Sequence, residues 1–341
     1  MTSRVLFVGD IHIKPNTLQV TREFTDKLVL MAKQERPDII VLLGDLLHTH
    51  NVVHTPCLNH AYDLVDRLRS ITNVWICVGN HDYISNSEFL TDKHWMNAMK
   101  EWEGVIICDR PKYLKHGSNH FIGMPYVEPG MFIKGLEQCE EFDWKESGCI
   151  FAHQEFYGCK FESGTSTEGD AWAASLPLIV SGHIHKKHWL ADNIYYVGSA
   201  MQHTFAEDKN KSVSLITFLD NKMNDIKDIH IDTPIYNTVK CGIEGIDSIS
   251  YPDRNERLRV FLDCESGEFS SIKRTPRFKH LQKMGVKIEF RPTNRMTVTK
   301  METIKECDEN LLFNDVLYNL ICENQNTKIK NNMLKEYKTF F

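Results

Sequence analysis

Aspartate, asparagine and histidine recur in this chain in five short clusters, each closing an apolar run. The clusters are Asp10-Ile11-His12, Gly44-Asp45-Leu46-Leu47-His48, Gly79-Asn80-His81-Asp82, Ala152-His153-Gln154 and Gly182-His183-Ile184-His185. Seven of these residues (Asp10, His12, Asp45, Asn80, His153, His183 and His185) offer two carboxylates, one amide oxygen and four imidazoles. That is more than one tetrahedral ion needs, and it suits two divalent cations sharing Asp45. No cysteine is among them, which argues against a structural zinc site. Mixed imidazole and carboxylate ligation suits manganese, iron or zinc, and ligand identity does not choose among them. Two ions about 3.5–4 Å apart can hold a hydroxide and clamp a phosphate, so the chemistry implied is in-line attack of hydroxide on phosphorus. His81, next to Asn80, would lean over the phosphate to stabilise the transition state or protonate the leaving oxygen. The histidines outside these clusters, His50 and His203 among them, lack a comparable setting and read as structural or solvent-facing.

The residues ahead of each cluster say what must position it. Residues 5–8, 39–43, 74–78, 149–152 and 178–180 are short runs rich in Val and Ile, bounded by Gly or polar residues, and read as buried strands. Ligands just past strand ends converge on one edge of a sheet, where α/β proteins bind their ligands. The glycines allow sharp turns there. In an extended segment residues i and i+2 point the same way, so Asp10 with His12, and His183 with His185, can each serve one site. A helix is expected over residues 18–34, with Val20, Phe24, Leu28 and Met31 on one face. A second is expected over residues 55–69, with Thr55 as N-cap and Pro56 at the first helical position. Residues 157–172, rich in Gly, Ser and Thr, read as a mobile loop beside His153, in which Tyr157 or Trp172 either stacks on a base or packs.

With all five motifs in order, residues 4–218 resemble the calcineurin-like metallophosphoesterases. The resemblance implies a four-layer αββα sandwich of the α/β class, a smaller α/β capping domain and C-terminal helices. It also implies that Asp10, His12, Asp45 and His185 bind one metal and Asp45, Asn80, His153 and His183 the other, with His81 and His48 assisting at the phosphate. Within that superfamily the chain looks most like the SbcD-type nuclease subunit of double-strand-break repair, in the version carried by phages or large DNA viruses. Four features carry this: Gly-Asn-His-Asp at 79–82; Gly-Asp-Leu-Leu-His at 44–48; Gly198-Ser199 followed by Phe205-Ala206-Glu207; and more than 120 further residues. The resemblance implies DNA as substrate, an SMC-like (SbcC-type) ATPase partner, and a homodimer built on helices near residues 55–69, although packing of that helix on the sheet is the reading slightly preferred from the sequence. Two departures, Lys14 where a Gly is common and a longer stretch over 48–56, touch substrate geometry more than metal binding.

A chain of 341 residues allows more than one domain. The composition shifts over 220–234, dividing it into a nuclease domain (1–222), a capping, DNA-binding domain (235–300) and a C-terminal helical segment (301–341). A strand at 257–264, a helix over 270–284 that Pro276 breaks or kinks, and a strand at 286–290 make up the second. Net charge is −6, yet residues 254–300 hold twelve Lys/Arg against five Asp/Glu, which puts that stretch at +7 and the remainder at −13. A basic module beside an acidic metal domain suits a phosphate-backbone substrate, with Lys273, Arg274, Arg277, Lys279 and Lys283 as contacts; an ordinary solvated face is the alternative. Two amphipathic segments in the tail (Phe313, Val316, Leu317, Leu320 and Ile321; Ile329, Met333, Tyr337 and Phe340) either dock the ATPase or fold back on their own domain. Ten cysteines without a C-x-x-C pair, no long apolar span and a strand at the very start point to a soluble intracellular protein, cytoplasmic or nuclear. A phosphodiesterase or phosphatase acting on nucleotides or other small esters is the competing enzyme reading. A silent scaffold would have lost at least one of the seven ligands.

Overall fold

Alternating burial in the first strands fixes the layers. Val5 and Phe7 face one side of β1 (Thr2–Val8), Leu6 and Val8 the other, and all four are buried. The same alternation holds in β2 (Ile39–Leu42) and β3 (Asn73–Cys77), so this sheet is covered on both faces, as parallel strands require. The computed structural model describes residues 2–50, 52–292 and residue 321.

The further strands are β4 (Val105–Cys108), β5 (Lys112–His116), β6 (Asn119–Gly123), β7 (Cys149–Ala152), β8 (Leu178–Ser181), β9 (His188–Ala191), β10 (Ile194–Tyr196), β11 (Val213–Leu219), β12 (Lys222–Ile229), β13 (Ile235–Gly242), β14 (Glu256–Cys264) and β15 (Lys287–Pro292). The first sheet has the order β12-β11-β1-β2-β3-β4, parallel from β1 to β4 and antiparallel across β1, β11 and β12. The second has the order β5-β6-β7-β8-β10-β9, with a parallel centre and an antiparallel strand at each edge. Phe7, Val41, Trp75, Phe121, Phe151 and Phe218 fill the space between the sheets. Helices α1 (Leu18–Glu35) and α2 (Thr55–Arg69) cover the outer face of the first sheet. The short α3 (Phe132–Leu136), with Trp144 and Trp172, covers that of the second. This is the expected α/β sandwich, with one outer layer built largely of ordered loops.

Local chemistry accounts for the boundaries. The α1 helix ends where Arg36 adopts a left-handed conformation (φ 49°) ahead of Pro37 and caps Ala32 O. The N-cap of α2 is His54, one residue earlier than expected, so Thr55 is already helical and no side chain caps this end. The apolar stripe of α2, from Ala61 to Leu68, packs into the first core. Trp172 is packed, its Nε1 donating to Pro177 O at 3.0 Å, while Tyr157 lies exposed on a loop tied by Gly158 N to Ser166 O and Ser166 N to Cys159 O. No helix among the described residues is long and apolar enough to cross a membrane.

The pairing of β12 with β11 carries the first sheet on to Ile229, past the expected limit at residue 222. Beyond it β13, β14 and β15 form a separate all-parallel sheet. Helices α4 (Ser266–Ile272) and α5 (Pro276–Lys283) cover one face of that sheet through Ile272, Phe278 and Leu281 against Leu258, Val260 and Leu262. Pro276 separates these two helices, and the Thr275 side chain caps the second by accepting from Phe278 N at 3.3 Å. The tail segment 301–341 lies outside the described residues, apart from the buried Ile321.

Candidate metal centre

Five parallel strands, three from the first sheet and two from the second, end at the same edge of the sandwich. Beyond β1 come Asp10 and His12, beyond β2 Asp45, beyond β3 Asn80 and His81, beyond β7 His153, and beyond β8 His183 and His185. The backbone there is not the extended one that would let i and i+2 share a direction. Asp10 (φ 26°), His12 (46°), Asp45 (51°) and His183 (74°) all lie in the left-handed region, which costs a non-glycine residue about 1–2 kcal/mol each. Among the described residues only eight non-glycine residues have positive φ, and half of them are here. Strain collected on the polar residues of one site is what a functional centre retains. The glycines serve mainly a different purpose from the one expected. Gly44 does take φ 96°, but Gly79 has an ordinary φ and supplies space: a Cβ there would overlap the Asp45 carboxylate.

The seven expected ligands converge. The Nε2 atoms of His12 and His185 face each other at 3.0 Å. Asn80 Oδ1 is 3.0 Å from His153 Nε2 and 3.1 Å from His183 Nδ1. Asp45 spans the two groups, with Oδ2 3.6 Å from His12 Nε2 and Oδ1 3.4 Å from His153 Nε2. Ligand atoms of Asp10, His12 and His185 lie within 4.8 Å of one another, and so do those of Asp10, Asp45 and His153. Asp10 is thus near both halves, fixed by His183 N, which donates to its two oxygens at 3.1 and 3.2 Å.

Neighbours decide which ring nitrogen faces inward. His153 Nδ1 donates to Leu43 O at 2.6 Å, leaving Nε2 for the centre. His185 Nδ1 lies 3.3 Å from Glu207 Oε1, which leaves its Nε2. Such outer partners orient metal-binding histidines. Among the described residues the ion-pair partners of the buried Asp10 and Asp45 are histidines, not lysine or arginine. Burial raises the Asp10 carboxyl above its ordinary value. For Asp45 burial acts the same way but is outweighed by His153 and His12, so its carboxyl sits well below the usual range. Burial disfavours a charged His153, yet Asp45 and Asp10 push it up to about 10, while burial drives His12 well below the usual imidazole value. Acids and bases at such distances share too few protons to satisfy every lone pair. The donor set therefore fits divalent cations, which displace those protons when they bind.

His81 stands at the rim. Its backbone N–H donates to Asp45 Oδ1 at 2.9 Å and its Nδ1 meets His48 O at 2.8 Å, leaving Nε2 free to meet a substrate. The His48 ring is parallel to it at 5.6 Å. Asp82 holds this turn, accepting from Gly79 N, Leu47 N and Trp95 Nε1; burial, then the Asp45 charge, raise its carboxyl to about 7.

Two histidines read as structural belong to the centre. His203 donates through Nε2 to Asp10 O at 2.8 Å, its ring 5.0 Å from His12, and burial and His185 press it down to about 3. His50 stacks on His81 at 4.7 Å. The spacing of His50 from His48 repeats the two-residue interval of the ligand pairs and could have pointed to it; nothing local marks His203. The expected DNA contacts divide. Lys273, Arg274, Lys279 and Lys283 are exposed on the helical side of the small sheet. Arg277 is not free: its guanidinium donates to the carbonyls of Ile246, Asp247 and Ile249 and lies over the Tyr251 ring at 4.5 Å.

The family model for calcineurin-like phosphoesterases matches residues 3–187. Two viral proteins are similar over most of the chain. "Putative phosphoesterase 244L" of Invertebrate iridescent virus 6 is 39% identical over 276 residues, covering 80% of this chain and 97% of the relative. "Putative phosphoesterase 078R" of Invertebrate iridescent virus 3 is 38% identical over 307 residues, 88% of this chain and 87% of the relative.

Proposed function

We propose that this chain, which belongs to the calcineurin-like phosphoesterase family, is a two-metal DNA nuclease of the SbcD type. Metal-dependent hydrolysis of phosphate esters comes with the family. The narrower reading is ours: Asp45, which turns one oxygen to each of two imidazole groups, carries its two-metal part, and the resemblance of the motifs carries DNA as substrate. Asp82 and Glu207, the two acids that mark the resemblance to repair nucleases, support it, because both brace the centre from outside.

Divalent cations at this centre, which we take to be manganese, would supply Lewis-acid charge to the phosphate and acidify the attacking water. Asp10, His12, Asp45 and His185 would hold one, and Asp45, Asn80, His153 and His183 the other. His81 supplies the proton side of the reaction. As the attacking water, its proton lost to solvent, bonds to phosphorus and the ester P–O bond breaks, the ring protonated at both nitrogens gives its Nε2 proton to the leaving oxygen or donates a hydrogen bond from it to the phosphate. His48 orients it through the carbonyl that receives Nδ1–H. Partnership with an SMC-like ATPase, and a homodimer, belong to the same reading and rest on the resemblance of the motifs.

The test is cleavage of labelled single-stranded and duplex DNA with manganese, iron or zinc, with and without a candidate ATPase. Manganese-dependent cleavage of linear DNA is expected. Intact DNA alongside hydrolysis of cyclic nucleotides or small phosphate esters would replace the nuclease with a small-molecule phosphoesterase.

A further inference from the structure

Among the described residues the β13-β14-β15 sheet is covered by helices on one side only. Residues on β14 alternate: Leu258, Val260, Leu262 and Cys264 enter the helix-packed core, while Arg257, Arg259, Phe261 and Asp263 lie on the other face. The register places Lys240 of β13 beside Phe261, and Lys287, Glu289 and Arg291 of β15 beside Arg259, Phe261 and Asp263. An all-parallel sheet usually has both faces covered, and on this face Arg257 and Lys240 lie exposed.

The chemistry of that face is cationic. Asp263 pairs with Arg291 at 3.0 Å and Glu289 with Lys287 at 2.6 Å. Lys240, Arg257 and Arg259 have no carboxylate partner among the described residues. Arg259 is the best prepared. Its guanidinium lies 4.8 Å from the Phe205 ring and 4.7 Å from that of Phe261, with Arg291 on Phe261 in turn at 5.9 Å. One hydrogen bond of 3.3 Å to Thr238 Oγ1 holds it, and its Nε is buried without a partner. A guanidinium braced between two rings has already lost its rotamer freedom, and its N–H edge matches the oxygens of a phosphate.

This row reaches the metal centre through Phe205. Phe205 belongs to the short segment in which His203 donates to Asp10 O and Glu207 lies against His185. We infer that the open face of the small sheet, with Phe205 against Arg259 at its middle and Arg257 and Lys240 to either side along the strands, is a phosphate track that holds an extended nucleic-acid strand beyond the scissile bond. The inference rests on the nuclease reading and narrows it: the substrate is a chain of phosphodiesters that reaches the second module, and it is gripped on the sheet face, not on the α4–α5 face.

The experiment compares kcat/KM for a 30-nucleotide single strand, a duplex of the same sequence and bis(4-nitrophenyl) phosphate across a salt series. Three variants are read against the wild type: Lys240→Ser with Arg257→Ser, Arg259→Gln, and, on the helical face, Arg274→Ser with Lys279→Ser. Each cation removed from the track should flatten the plot of log(kcat/KM) against log salt by about 0.7 on single strands, so the first variant should lose about 1.4 in slope and roughly tenfold in KM near physiological salt. Arg259→Gln should move the same two readouts in the same direction, and the ratio of oligonucleotide to small-diester turnover should fall in both. The two exposed cations of the first variant serve as the fold-safe test should Arg259→Gln disturb the contact with Phe205. A larger slope change on duplex than on single strand makes duplex the track's ligand. Unchanged slopes in both sheet-face variants, or a slope change confined to the helical-face variant, overturn the track and leave the nuclease standing. A wild type that turns over the small diester and leaves both nucleic acids intact overturns the nuclease reading itself.

Discussion

The edge of the sandwich and the small parallel sheet use charge in opposite ways. At the edge Asp10 and Asp45 are buried, strained in φ and, among the described residues, paired with imidazoles and not with lysine or arginine. In the small sheet charge sits on surfaces, and where it is buried it pins the chain, as Arg277 does. The first arrangement is costly without cations and is built for chemistry; the second stabilises a module and leaves cations over for a partner. The difference is one of tolerance. A centre whose ligands share atoms fails when one is removed, whereas a charged face loses function by degrees.

The hardest break falls on Asp45, since it turns one oxygen to His12 and the other to His153, the proposed bridge between the halves. Asp45→Ala should lower phosphodiester turnover by at least about a thousandfold, the scale of removing a main source of transition-state charge stabilisation. Bound metal, counted by mass spectrometry, should fall below two ions per chain. Two retained ions and turnover within tenfold of wild type would show that the halves do not share this residue. A smaller break separates ligation from proton transfer. His81→Ala removes a rim ring that donates to His48 O and stands edge-on to His12, but is not among the seven proposed ligands. It should keep full metal content and lose about 10²–10⁴-fold in kcat, the range of general acid catalysis. A fall in metal content would move His81 into the ligand set.

The same contrast governs what could be read from the sequence. All seven candidate ligands were legible because each demands a specific residue type at a strand end. The five strands carrying them show themselves as apolar runs. The left-handed backbone at Asp10, His12, Asp45 and His183 was not legible, because an aspartate or histidine in a loop looks the same in either conformation; the two-residue spacing suggested extended chain, and the turn was made otherwise. His203 was missed because it reaches Asp10 across the fold with no local pattern. In the second module the excess of positive charge was visible but its placement was not. Lys273 and Arg277 look alike in sequence, yet one lies exposed over Phe269 and the other is enclosed by carbonyls. Even the open sheet face appears only once β13 and β15 are set beside β14.

The mildest test sharpens the comparison from the side of the module. Arg277 holds the segment from Ile246 to Tyr251 against α5, and it does so with charged donors on backbone oxygens and a ring beneath. Hydrogen bonds from charged groups are worth about 1.5–3 kcal/mol. Arg277→Ala leaves several carbonyls to water and removes the cation stacked on the Tyr251 ring, so it should cost the module about 2 kcal/mol. Followed by thermal unfolding with hydrogen exchange, the loss should appear first in residues 243–251 and in α5, while exchange in the strands that end at the metal centre stays at the wild-type rate. Turnover of a small phosphodiester, which needs only the edge of the sandwich, should stay within twofold. A matching fall in that turnover would mean that the two regions are coupled, and that the module shapes the centre as well as standing beside it.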